Sequence, residues 1–143
     1  MMSRLALATR TAACALAIGL VAGCTSPRSD LGTKDSSCYL ALPVAVKAVG
    51  SHSKLLGAHL YTLSGLRRAA PRLVTQIQPK GTPQQRICVL AFSGQFTAGK
   101  LPKSHGRPEG SVAIVVLTSP SNSLVGTLVL KRVPLRFSHS HIG

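Results

Sequence analysis

Three short apolar runs in the C-terminal half constrain this 143-residue chain more than any other feature: Ile87–Phe92 (ICVLAF), Val112–Leu117 (VAIVVL) and Leu124–Leu130 (LVGTLVL). They are rich in β-branched residues and bounded by Gly, Pro, Ser or Asn, the pattern of strands. All three are apolar at odd and even positions alike. Because successive strand side chains point to opposite faces, such runs call for a sheet with both faces covered. The Thr118–Ser123 link (TSPSNS) is short and made of turn residues, so the second and third runs are expected to pair as an antiparallel hairpin. The Thr97–Ser111 link (TAGKLPKSHGRPEGS) is long and basic, and is expected to be a loop without a core of its own. Beyond Leu130, the residues Lys131, Val133, Leu135 and Phe137 alternate with Arg132, Pro134 and Arg136, as in an edge strand blunted by charge and proline.

The preceding half has a helical period. Tyr39–Val49 (YLALPVAVKAV) is apolar on nearly every side, which predicts a buried helix with Pro43 in its first turn and Gly50 as its stop. Leu56, Leu60 and Leu63 follow at i, i+4 and i+7, favouring a helix, with a strand over Leu55–Tyr61 as the alternative. Leu66, Ala69, Ala70, Leu73, Val74 and Ile77 make one helical stripe; Arg68 and Arg72 fall on the opposite side, and Pro71 lies where it would only kink the helix. Pro79, Gly81 and Pro83 close the helical half.

Helices followed by strands predict an α+β domain over 38–143, with N-terminal helices packed on one face of a three- to four-stranded antiparallel sheet. The arrangement resembles in shape the small helix-on-sheet modules of the PepSY and cystatin-like architectures. A single helical layer leaves the second face of the sheet to be explained. Either edges and loops cover it, or it takes an apolar ligand or a second copy.

Charge narrows function. The chain has 17 Lys+Arg against 3 Asp+Glu, a net charge of +14, while 45% of its residues are hydrophobic, too many for a disordered polycation. Asp30 and Asp35 precede the domain, which keeps Glu109 alone. Paired-carboxylate hydrolysis is therefore excluded. A Ser-His-Asp arrangement lacks both its nucleophile elbow and an acid to orient the histidine, and no phosphate-binding glycine loop is present. The chain is read as non-enzymatic, with no cofactor.

The first residues read as an address. Arg4 and Arg10 flank a start without acids, and the uncharged Thr11–Gly23 follows, rich in Ala and Leu. This is the layout of a secretory signal peptide over 1–23, and the apolar run falls short of the roughly 20 residues that span a bilayer. Val21-Ala22-Gly23-Cys24 closes it and resembles the bacterial lipobox. The resemblance implies cleavage before Cys24, lipidation of its thiol, and a chain anchored to the outer face of the cell membrane. Residues 24–37, polar and holding Pro27 and Gly32, would be a flexible lipidated tether.

With Cys14 in the leader and Cys24 lipidated, Cys38 and Cys88 remain. In an oxidising compartment such a pair forms a disulfide; two buried free thiols are the alternative, and the apolar surroundings of Cys88 disfavour a reactive thiolate. His139 and His141, joined by His52, His59 or His105, are candidate Zn²⁺ or Cu²⁺ ligands, against the plainer reading of a solvated terminus. Arg67, Arg68, Arg72, Lys100, Lys103, Arg107, Lys131, Arg132 and Arg136 are the candidate contacts to an anionic partner. With 3% aromatics and no Trp, stacking on nucleic acid is not expected. Anionic lipid, wall polymer or an acidic protein is the expected partner, a lipid tether and basic side chains acting together. A carrier or sensor of a lipid-like ligand on the sheet face is the second reading.

Overall fold

The computed structural model describes residues 36–134. Cys24, Arg136, His139 and His141, with the leader and most of the expected tether, lie outside the described residues. The chain forms α1 (Ser36–Leu40), α2 (Leu42–Val49), β1 (Lys54–Thr62), α3 (Leu63–Ala69), α4 (Pro71–Ile77), β2 (Arg86–Thr97), a 3-10 turn (Ala98–Lys100), β3 (Ser104–Gly106), β4 (Glu109–Ser119) and β5 (Leu124–Leu130). One sheet runs in the order β1-β2-β4-β5-β3. All neighbours are antiparallel except β3 and β5, which are parallel. The α+β class holds, with a five-stranded mixed sheet in place of three or four antiparallel strands.

Two strands lie beyond the three central runs: β1 follows the alternative strand reading of Leu55–Tyr61 rather than the favoured helix, and β3 lies in the expected loop. In β1 a register shift between Leu55 and Gly57 makes Leu56 a bulge residue. Leu56 therefore packs on one face of the sheet and Leu60 on the other, although their spacing imitates a helical stripe. In the expected loop, Ser104–Gly106 pairs with Thr127–Val129 and forms the far edge, and Glu109–Ser111 joins β4. Lys131–Pro134, read as an edge strand, is irregular.

Helices cover both faces, which corrects the single helical layer. In β2 and β4 the alternation is complete: Cys88, Leu90, Phe92, Ala113, Val115 and Leu117 form one core with Ala41 and Ala45 of the α1–α2 layer. Ile87, Val89, Ala91, Val112, Ile114 and Val116 form the other with Leu63, Leu66 and Ile77 of α3–α4. This is why the central runs are apolar at every position. β1, at an edge, carries only part of each core, so its pattern is weaker.

Local chemistry sets the helix ends. Pro43 lies in the first turn of α2, and Gly50 stops it at φ +93°, donating its N–H to the Val46 carbonyl at 2.8 Å. Contrary to the expectation of burial all round, Tyr39, Leu40 and Val44 are 44%, 75% and 38% exposed, because α1 and α2 form an outer layer with one side on the sheet. Thr62 ends β1 and caps α3, its Oγ1 accepting from the Gly65 N–H at 3.0 Å. The stripe over Leu66–Ile77 is two helices rather than one kinked helix. A residue before proline is driven out of the helical region, and Ala70 sits at φ −141°, ψ 65°.

A disulfide joins Cys38 of α1 to Cys88 of β2, with Cα atoms 5.3 Å apart and both residues fully buried. The loop it closes contains both helical layers and β1.

Candidate functional site

On the Ile87/Val89 face, a cavity of about 580 Å³ lies between α3–α4 and the sheet. Its floor is Val89 of β2, Ile114 of β4, and Leu128 and Leu130 of β5. Ile114 and Leu128 are register partners, so the floor continues across strands. Tyr61 and Pro134 contribute to the walls, and the roof is the junction of the two helices, from Leu66 and Ala69 to Leu73 and Gln76.

Sequence and packing together account for the space. At the other end of α4, Ile77 rests on Gly126: a Cβ there would lie 2.8 Å from Ile77 Cγ2, so only glycine admits this approach. At the near end the helices break at Ala70, and the roof there carries the small side chains of Ala69 and Ala70. α4 is thus pinned close to β5 at its C-terminal end and stands over open volume at its N-terminal end. A volume of this size is within the range of roughly 300–1,000 Å³ found for small-molecule sites.

The lining is apolar apart from Tyr61, Arg72 and Gln76. Arg72 and Gln76 are exposed and lie four residues apart on α4, which places them side by side at the solvent opening. No carboxylate lines the cavity among the described residues.

The other sequence-predicted residues do not meet here. Arg67 and Arg68 are exposed in the last turn of α3, beyond the lining. Lys100, Lys103 and Arg107 flank the β3 edge, where Lys103 Nζ donates to the Leu124 carbonyl at 2.7 Å and holds the start of β5. Lys131 and Arg132 follow the end of β5. These seven and Arg72 are all exposed, and they are distributed between the α3–α4 layer and the β3–β5 edge, where Arg107 donates its N–H to the Val129 carbonyl. His59 on β1 and His105 on β3 sit on opposite edges of the sheet, four strand spacings or roughly 19 Å apart. That separation prevents the two from sharing an ion. Among the described residues no group of three or more His, Cys, Asp or Glu is placed to hold a metal.

In the sequence Ala69, Ala70 and Leu73 belong to one apolar helical stripe, and the ligand face is expected on the side of the sheet that a single helical layer leaves uncovered; the cavity instead lies beneath that stripe. The available signal was Ala69-Ala70-Pro71, small residues followed by a helix breaker in the middle of an apolar stripe. Comparison of the chain with family models, with curated proteins and with solved structures finds no match.

Proposed function

We propose that this chain is a non-enzymatic, lipid-anchored protein of the cell envelope that carries or senses a lipid-like ligand in the cavity under α3–α4. The observation that carries the reading is the cavity: about 580 Å³, floored by Val89, Ile114, Leu128 and Leu130, and open to solvent. An apolar concavity with a few polar groups at one side is the usual form of a small-molecule site. The lipobox-like Val21–Cys24 supports the setting, on the outer face of the cell membrane. The Cys38–Cys88 bond is in keeping with it, since disulfides persist in oxidising compartments. The test uses the neutral dye N-phenyl-1-naphthylamine, whose fluorescence rises in apolar surroundings. Saturable binding at one dye per chain is expected, weakened at least tenfold by Ala69→Phe, which places a ring in the cavity. Absence of saturable binding, or binding that Ala69→Phe leaves unchanged, overturns the reading.

The exposed cations support a second role, spread over the domain surface rather than gathered at the cavity. Eight of the nine candidate residues are described, all are exposed, and Glu109 is the only carboxylate side chain among the described residues. Attraction to anionic lipid or wall polymer would supplement the anchor, each cation near an anionic surface adding at most about 1 kcal/mol. Binding of the Cys24→Ser chain to phosphatidylglycerol vesicles that falls away with added salt is the expected result. Binding insensitive to salt would remove this role.

A further inference from the structure

We infer that the cavity takes a single-chain amphiphile with an anionic headgroup, held by Arg72 and assisted by Gln76, with its tail along Ile114, Leu128 and Leu130. The inference rests on the binding function proposed above and adds the class of ligand and its orientation. The cavity is chemically one-sided. The floor is aliphatic and β1 adds the Tyr61 ring to one wall, whereas the other two polar lining side chains, Arg72 and Gln76, are exposed and come from α4. Among the described residues Arg72 is the only cation in the lining, and no carboxylate lies there to neutralise it.

That arrangement discriminates by charge. A guanidinium matches a carboxylate or phosphate through paired N–H donors, and charge-assisted hydrogen bonds are about twice as strong as neutral ones. The Gln76 amide supplies a further donor one helical turn away. A cationic headgroup would meet Arg72 in repulsion, and a ligand without a headgroup would forgo this contact. Arg67 and Arg68 raise the local positive potential but do not line the cavity. They speed the approach of an anion without fixing its position. Burying the tail against the sheet while the headgroup stays at the opening satisfies both halves of an amphiphile, with no charge placed in the aliphatic floor.

The experiment compares cis-parinaric acid with its methyl ester, the same tail with and without the charge, on the chain carrying Cys24→Ser. The acid is expected to bind at least tenfold more tightly than the ester. Arg72→Leu should abolish that preference, whereas Arg67→Leu should preserve most of it. Equal binding of acid and ester overturns the inference, and equal losses from Arg67→Leu and Arg72→Leu overturn the headgroup site in favour of a diffuse charge effect. If the ester and N-phenyl-1-naphthylamine bind but the acid has no advantage, the ligand-binding reading stands and the headgroup assignment falls. If none of the three binds, the ligand-binding reading itself falls. Laurate and dodecyl phosphate, as competitors of the bound acid, separate a carboxylate from a phosphate headgroup. Displacement by either one supports the site, and displacement by neither overturns it.

Discussion

Replacing Cys38 and Cys88 with alanine should remove a large part of the stability of this domain, by an amount set by the loop the bond closes. The two cysteines are 50 positions apart. Closing a loop of that size lowers the entropy of the unfolded chain by an amount worth about 4 kcal/mol at 25 °C. Domains of this size are stable by only about 5–15 kcal/mol. The comparison is best made in a chain whose Cys14 and Cys24 are serine in both forms, so that thiol exchange does not intervene. With a urea slope of about 1–1.5 kcal/mol per molar, the midpoint should fall by roughly 3 M. By heat, the loss corresponds to roughly 15–30 °C in Tm. Circular dichroism followed through urea titration gives both midpoint and slope. A midpoint change below about 0.5 M would refute the loop-entropy reasoning. So would a separate early transition of the α1–α2 layer with the sheet transition unmoved, since the bond would then act as a local staple between α1 and β2. Both cysteines are fully buried, so dithiothreitol should reduce the bond at the rate at which α1 opens, and slowly under native conditions.

The glycines under the helical layer and at the strand end give an ordered pair of outcomes. A Cβ at Gly110 would collide with the backbone carbonyl of Leu130, whereas one at Gly126 meets the Ile77 side chain. Gly126→Ala should therefore cost about 1–3 kcal/mol by overpacking and Gly110→Ala more, measured as urea midpoints; the reverse order would contradict the packing described. Thr127 is fully buried on the α1–α2 side, and its Oγ1 has no hydrogen-bond partner among the described residues. Thr127→Val should stabilise the fold by about 1 kcal/mol, and a loss of stability would show that the hydroxyl has a partner. Leu40 is 75% exposed, so Leu40→Gln should change stability by less than about 0.5 kcal/mol in a thermal melt.

Sequence by itself determined the central sheet. The runs that became β2, β4 and β5 were legible because residues buried on both faces must be apolar at both parities, and their shortness, β-branched content and turn-residue bounds distinguish them from a buried helix. The cysteine pair, the Gly50 stop and the Thr118–Ser123 hairpin were legible because each depends on local chemistry or simple counting. Edge elements were not. β1 hid behind the bulge at Leu56, and the three-residue β3 has no pattern apart from its partner β5. The tertiary structure decided how the two sheet faces are covered, since neither helical segment carries in its sequence which face it takes, and the α1–α2 and α3–α4 layers lie on opposite faces with β1 between them in the chain. It also decided the cavity. A stripe of apolar residues specifies that a surface will be covered, but not how closely. Here the gap is set by Ala69 and Ala70 at one end of the helical layer and by Gly126 beneath Ile77 at the other, residues brought into relation only by the fold.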